Sequence, residues 1–204
     1  NTGGMGAFSP APIINKKLEK KIIDRIVKPT LNALKKKKNP YQGFLYVGLM
    51  IKNNEPYLIE YNIRMGDPEC QVILPRLKTD LVKILINSVS GKLKNTKIKW
   101  KKDKSMTIVL CSRGYPDKYK KNKKIPNINK VKLSKKDFIY HAGTKLVNNQ
   151  LLSNGGRVLN ITSTGNNFLD IREKIIKLIN KLNWRAGFYR KDIGWKVINK
   201  NANN

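Results

Sequence analysis

The chain has 204 residues, 40% of them hydrophobic, and a formal net charge of +30. That apolar content suits one or two folded domains and excludes a disordered chain, and no apolar run approaches the ~20 residues of a membrane-spanning helix. The charge invites a polyanion, yet the densest runs, Lys35 to Lys38 and Lys120 to Lys124, lack interleaved aromatics on which bases stack. A solvated Lys-rich surface is therefore expected, with no specific nucleic acid. Cys70 and Cys111 lie far apart in unrelated contexts, which gives neither a disulfide framework nor a metal quartet and favours a reducing, cytoplasmic setting. The opening Asn1-Thr2-Gly3-Gly4 has no start Met and no charged-then-apolar leader. No signal peptide is expected, and a chain that opens inside a motif is expected to be a fragment.

Residues 1–12 are Gly-rich, end in Ser9-Pro10-Ala11-Pro12 and read as loop. Leu18, Ile22, Ile23, Ile26, Val27, Leu31 and Leu34 recur at helical spacing through Lys16 to Lys38, with Pro29 expected to break or kink the run. Phe44 to Ile51 is a continuous apolar run and predicts a buried strand. Lys52 to Pro56 supplies turn residues, so the strand after it completes a hairpin. Asp67 is placed to cap a helix whose first position is Pro68. A further helix is expected from Asp80 to Val89, with Thr79 as cap and Gly91 as stop.

From Lys92 to Lys104 the chain turns polar and basic, a domain boundary by composition. Strands are expected at Met106 to Cys111, Phe138 to His141, Lys145 to Val147 and Arg157 to Ser163, with turns at Asn148-Asn149 and Asn154-Gly155-Gly156. The stretch Pro116 to Pro126 reads as loop. Phe168, Ile171, Ile175, Leu178, Ile179 and Leu182 form one stripe of a helix from Phe168 to Leu182.

The richest chemistry lies in Tyr57 to Glu69. On an extended strand Glu60, Asn62 and Arg64 share one face, in a row about 13 Å long, while Ile59, Tyr61, Ile63 and Met65 share the other. A carboxylate beside an amide oxygen suits a hard cation such as Mg²⁺, and an adjacent guanidinium suits a phosphate or carboxylate. The same row also reads as a solvated strand face. In Asn1-Thr2-Gly3-Gly4-Met5-Gly6, three glycines let backbone N–H groups approach an anion; a structural turn explains them equally. No Gly-Lys-Ser/Thr follows, so this is not a Walker loop. Asp67 suits a helix cap, a cationic amine or a ribose hydroxyl. Glu69 suits a helix first turn or a metal. His141 and Cys111 read as structural, and Arg190 and Asp192 as partners of each other or of a neighbouring domain.

Together these segments resemble the phosphoribosylamine–glycine ligase family of ATP-grasp enzymes. The resemblance rests on Asn1-Thr2-Gly3-Gly4-Met5-Gly6-Ala7-Phe8-Ser9-Pro10-Ala11-Pro12 and on Leu58-Ile59-Glu60-Tyr61-Asn62-Ile63-Arg64-Met65-Gly66-Asp67-Pro68-Glu69. It also rests on His141-Ala142-Gly143-Thr144, Asn154-Gly155-Gly156-Arg157-Val158-Leu159 and Phe188-Tyr189-Arg190-Lys191-Asp192-Ile193-Gly194-Trp195, in the family's order.

The resemblance implies an α+β fold. Residues 1–92 would be the C-terminal part of an ATP-grasp large lobe, mainly antiparallel sheet with helices, and residues 93–204 a small α+β C-terminal domain. It implies ATP-dependent ligation of glycine to 5-phosphoribosylamine in purine biosynthesis, with Mg²⁺ or Mn²⁺. Glu60 and Asn62 are then the metal ligands and Arg64 steadies the transferred phosphoryl group. Asn1, Thr2, Gly3, Gly4, Met5, Gly6, Gly66, Asp67, Pro68 and Glu69 help hold the substrates. Many ATP-grasp relatives carry another acidic ligand on the preceding strand, but Phe44 to Ile51 offers none. The family's N-terminal half, including the lobe that clamps adenine, is expected as a partner, and this chain alone is expected to be inactive. A competing reading is a basic nucleic-acid-binding module that kept the fold without the chemistry.

Overall fold

The computed structural model describes residues 4–198. In chain order the elements are β1 (Gly6–Ser9), α1 (Lys16–Ile22), a π-helical segment (Ile23–Val27), α2 (Lys28–Lys36), β2 (Tyr46–Lys52), β3 (Glu55–Asn62), α3 (Cys70–Ile73) and α4 (Leu81–Val89). They continue with β4 (Lys104–Ser112), β5 (Asp137–His141), β6 (Thr144–Val147), β7 (Gln150–Ser153), β8 (Arg157–Gly165), α5 (Phe168–Leu182), β9 (Gly187–Phe188) and α6 (Trp195–Ile198). By contact these form two compact units that interleave along the chain. One holds residues 4–10, 67–76 and 101–198; the other holds 11–66 and 77–100. This partition by contact is not the same as a cut in sequence order between 92 and 93.

In the second unit the helical run continues through Pro29. The π-helical segment precedes α2, whose first turn carries the proline. Pro has no N–H to give to the turn before it and its ring crowds the carbonyl there, and the wider π turn absorbs that misfit. Strands β2 and β3 pair antiparallel across Asn53 and Asn54, both at positive φ, the backbone a tight hairpin turn demands. The strand expected to be buried at Phe44 to Ile51 is only half-buried, and Met50 is exposed. It belongs to a two-stranded sheet with no further strand among the described residues. Helix α4 is capped by Asp80, whose carboxylate accepts from the Lys83 N–H at 2.8 Å. Thr79 is not the cap; its hydroxyl accepts from the Lys99 N–H at 2.7 Å. Besides Pro56, Leu18 is this unit's one buried apolar side chain among those described, whereas Val82, Leu85, Ile86 and Val89 of α4 are exposed.

The first unit is built on a five-stranded antiparallel sheet in the order β1-β4-β8-β5, with β9 also on β4. β1 pairs with Ser105 to Ile108 and β9 with Cys111 and Ser112, so the two share one edge of β4 in succession. The opening segment, expected as loop, thus contributes a strand. Helix α5 buries all six residues of the stripe read from the sequence against Met106, Ile108 and Leu110 of β4 and Leu159 and Ile161 of β8. Asn167 caps it, its side chain accepting from the Asp170 N–H at 2.8 Å, and Asn183 ends it in the left-handed region. β7, absent from the sequence reading, pairs with β6 across Asn148 and Asn149, again both at positive φ.

Asp137 is a buried carboxylate at the start of β5. It accepts from Ser163 Oγ at 2.6 Å and Ser134 Oγ at 2.7 Å and pairs with Lys174 Nζ of α5 at 2.9 Å. Burial pushes its pKa up, but these donors outweigh it and hold the pKa below the ordinary value. A lowered folded-state pKa stabilises the fold above the unfolded value of about 3.9, and that contribution is lost as pH falls through the folded value. Asp137→Ala is expected to cost about 2 kcal/mol by urea denaturation at neutral pH. The same variant should flatten the acid limb of the stability curve below about pH 4.

Candidate functional site

The row of polar side chains begins on β3. Its register slips by one residue, Gly48 pairing with Glu60 and Leu49 with Leu58, which leaves Ile59 as a bulge. A bulge re-aims the residues beside it, and it ends the simple alternation expected from the sequence. Ile59 is 62% exposed and Ile63 77% exposed, so they do not form a buried apolar face. Glu60 lies opposite Gly48, where a Cβ would sit 2.9 Å from Glu60 Cγ. A glycine inside a strand often marks such a close approach, and here it makes room for the carboxylate. Asn62 Nδ2 donates to Glu60 Oε1 at 2.9 Å, so carboxylate and amide stand side by side. Arg64 lies beyond the end of β3, in a bend, and Nη1 donates to the Met65 carbonyl at 2.9 Å. The strand therefore carries two of the three row residues, and a turn carries the third.

A second cluster gathers in the other unit around Arg157, the first residue of β8. Its Nη1 donates to the Asp67 carbonyl at 2.7 Å and to the Gly4 carbonyl at 3.3 Å, and its Nη2 pairs with the Asp67 carboxylate at 3.1 Å. Gln71 Nε2 also donates to Asp67 Oδ1, at 2.7 Å. Asp67 is consequently not a helix cap. α3 begins at Cys70, and Asp67 and Pro68 lie in the turn before it. Gly4 has φ +79, and a Cβ there would approach Arg157 Nη1 to 2.4 Å, so only glycine fits both the backbone and the guanidinium. Met5 is buried against Val109 and Cys111. Arg76 fastens the segment from its other end, donating to Ser9 Oγ at 2.6 Å and to the Asp103 carbonyl at 2.7 Å. Asn1, Thr2 and Gly3 lie outside the described residues.

Two turns deliver Arg157. Gly143 N–H donates to the Arg157 carbonyl at 3.0 Å and Asn154 N–H to the Gly143 carbonyl at 2.7 Å. Cβ atoms on Gly143 or Gly155 would press on the facing backbone, at 2.5 and 3.0 Å. His141, exposed, shares a hydrogen bond with Thr144 Oγ1 at 3.0 Å and closes this turn. Burial pushes the Cys111 thiol up to about 12 in spite of the Arg157 charge nearby, so it is a core residue with no thiolate chemistry. Burial first, then Asp67 and Glu69, also raise Cys70. Both thiols are free. Arg190 and Asp192 pair with each other at the surface.

Chemically, Glu60 and Asn62 offer hard oxygen donors beside a glycine cradle that a side chain would fill, a set suited to a divalent cation. Among the described residues no group of three or more His, Cys, Asp or Glu side chains could hold a metal. Gly48 and Arg157 were missed by sequence reasoning. The signal for Gly48 was a lone glycine within an apolar strand, and for Arg157 a guanidinium directly after two glycines.

Two family models match the chain: the phosphoribosylglycinamide synthetase ATP-grasp (A) domain over residues 1–70 and the phosphoribosylglycinamide synthetase C domain over residues 105–196. The phosphoribosylamine–glycine ligase of Agrobacterium fabrum is 43% identical over 198 residues, covering 97% of this chain and 46% of that protein. The chloroplastic phosphoribosylamine–glycine ligase of Arabidopsis thaliana is 40% identical over 202 residues, covering 97% of this chain and 38% of that one. The crystal structure of phosphoribosylamine–glycine ligase from Thermotoga maritima matches with a TM-score of 0.75 and 34% identity over 94% of this chain and 46% of that chain. The biotin carboxylase domain of a thermophilic 2-oxoglutarate carboxylase shares the fold, with a TM-score of 0.58 at 12% identity. The chain spans about half the length of the curated bacterial relatives it matches.

The Asp67–Arg157 contact is testable by a double-mutant cycle. Asp67→Asn and Arg157→Gln, singly and together, should give a coupling energy of about 0.5–1 kcal/mol in urea denaturation, the modest value of a half-exposed pair.

Proposed function

The chain belongs to the phosphoribosylamine–glycine ligase family, and from that membership we propose that it supplies the metal-and-phosphate strand and the C-terminal domain of an ATP-dependent carbon–nitrogen ligase. In the reaction, a glycine carboxylate oxygen takes the terminal phosphoryl group of ATP, releasing ADP. The amine of 5-phosphoribosylamine then attacks the glycyl carbonyl and expels phosphate, leaving glycinamide ribonucleotide and a proton. The observation that supports this reading best is the Glu60–Asn62 pair in the space left by Gly48. A carboxylate is a poor electrophile, and phosphorylation supplies its leaving group.

Glu60 and Asn62 would hold Mg²⁺ or Mn²⁺. The bound cation would neutralise charge on the ATP phosphates. To serve as a ligand, Asn62 would present its amide oxygen to the cation in place of the N–H that now donates to Glu60. Arg64 is the catalytic cation for the phosphoryl group in transfer; its fork is lightly held, by one neighbouring carbonyl, and is free to swing to an oxyanion. Residues 1–6 and Gly66, Asp67, Pro68 and Glu69 hold glycine and 5-phosphoribosylamine. In this scheme Arg157 positions Gly4 and Asp67 and touches no substrate. The ATP-grasp part extends to about residue 92 and the C-terminal domain follows from 93, a division supported by the family models stopping at 70 and resuming at 105. The N-terminal half of the ligase is the partner that completes the enzyme. The unit around β2, β3 and α4 supports this, because its apolar residues are largely exposed. No helix of the described residues is long and apolar enough to cross a membrane, and we place the work in the cytoplasm.

Three outcomes are expected when ADP release is followed with glycine and 5-phosphoribosylamine. This chain alone shows no turnover, and the chain joined to the family's N-terminal half does; turnover by the chain alone would overturn the partner requirement. In the joined protein, Glu60→Gln and Arg64→Ala each lower kcat by about 100-fold or more, the usual cost of removing a group that stabilises transition-state charge. Gly48→Val raises the metal concentration needed for half activity, because its side chain displaces Glu60.

A further inference from the structure

The Lys120 to Lys124 run has no part in the proposed reaction, yet the structure straps it down. Asn122 N–H donates to the Ser153 carbonyl at 2.6 Å, Lys123 N–H to Ser153 Oγ at 3.1 Å and Ile125 N–H to the Leu151 carbonyl at 2.8 Å. Ser153 N–H donates in return to the Lys123 carbonyl at 2.9 Å. Ile125 is 3% exposed and belongs to the same core as α5. Upstream, Gly114 has φ +99, and a Cβ there would lie 2.1 Å from the Lys118 carbonyl oxygen, so the chain folds back on itself where only glycine fits.

This backbone borders a recess of about 440 Å³, within the size range of small-molecule sites. Its lining is Arg113, Gly114, Lys118, Lys120, Lys123 and Ala186, four cations and no carboxylate. Arg113 Nε donates to the Arg185 carbonyl at 3.0 Å, and its two terminal nitrogens have no partner among the described residues. The side chains of Lys118, Lys120 and Lys123 likewise make no hydrogen bond or ion pair among the described residues. Asp117, the one carboxylate of the loop, is not part of the lining and pairs with none of them. All four cations are exposed, so each by itself is worth little. Four unneutralised charges around one concavity reinforce one another, which raises the local concentration of an anion there.

We infer that this recess binds a condensed phosphate, a short linear chain of phosphoryl groups. The lysines meet it as point charges, and the free end of the Arg113 fork takes two oxygens of one phosphoryl group. A single phosphate would leave part of the cations unused. A strand of RNA carries bases that need stacking surfaces, and the lining has no aromatic ring. The loop's own rings, Tyr115 and Tyr119, lie against Gly156 instead. For the same reason the phosphate chain is a free one and not the tail of a nucleotide. The inference is independent of the ligase reading, because every residue it uses lies outside the proposed catalytic and substrate-binding sets.

The test is calorimetric titration of the chain with tripolyphosphate, orthophosphate, ATP and a short oligouridylate at matched ionic strength. Tripolyphosphate should bind saturably at one site. The triple variant Lys118→Gln/Lys120→Gln/Lys123→Gln should bind it roughly tenfold more weakly, as expected for three exposed charges of modest individual worth. Lys118→Arg/Lys120→Arg/Lys123→Arg keeps the charge and should bind about as well as the parent. The control Lys35→Gln/Lys36→Gln/Lys37→Gln removes the same charge from the other basic run and should leave binding within about twofold, since at physiological salt exposed charges beyond about 8 Å are screened. The inference fails if tripolyphosphate does not saturate one site, or if the control loses as much affinity as the recess variant, which would mean general attraction to a +30 chain. It also fails if the Arg variant loses binding as the Gln variant does. Orthophosphate, ATP or oligouridylate binding through the three lysines as tightly as tripolyphosphate would equally sink it.

Discussion

The burial of one face of α5 against β4 and β8 is the constraint on which the rest of the C-terminal unit depends. Each fully buried Leu, Ile or Phe contributes about 1.5–3 kcal/mol, and here six from the helix meet five from the two strands. That packing fixes both strands, and the features of chemical interest hang from their ends. Arg157 opens β8, Ser112 closes β4, and Ser112 Oγ donates to the Gly155 carbonyl at 2.8 Å. The glycine-on-glycine contact of the two turns is possible because β5 pairs along β8, which holds the two backbones where they nearly touch.

The unit that carries Glu60 and Asn62 is organised differently. Its sheet is a lone hairpin, and a two-stranded hairpin is marginal by itself. Polar contacts tie it to the helical run. Arg25 pairs with Glu55 at 2.5 Å, Lys21 pairs with the same carboxylate, and Thr30 Oγ1 shares a hydrogen bond with Tyr61 at 2.5 Å. Lys21 first and then Arg25 hold the Glu55 carboxyl below its ordinary range, but the group is exposed and such pairs add little to stability. The side chains proposed for metal and phosphate thus rest on the less consolidated part of the chain.

Much of this was legible in the sequence. Helix α5 could be read residue by residue, because a stripe at helical spacing has one burial solution. Both hairpin turns announced themselves through adjacent asparagines, which tolerate positive φ. Glu60 and Asn62 were found as a pair because alternation on a strand puts them together. Other features depended on distant partners. β1 hid in a Gly- and Pro-rich stretch because it is a strand only by virtue of the β4 edge. The bulge at Ile59 follows from hairpin register, which local periodicity does not contain. Asp67 had every local mark of a cap, yet a guanidinium ninety positions away holds both its carbonyl and its carboxylate. Residues 1–3, read as part of the anion-binding loop, fall outside the described structure.

The pairing of Gly6 with Ile108 also has a bearing on biosynthesis. At about 5–20 residues per second, a ribosome needs roughly 5–20 s to deliver the edge that β1 requires. Through that interval β1 has no neighbour, and the helical run and the β2–β3 hairpin emerge in between. Closing a loop of this length adds little entropy beyond that of a shorter one, so the delay is one of supply. On the nascent polypeptide the Gly-rich opening stays available to chaperones longer than any other strand of its sheet.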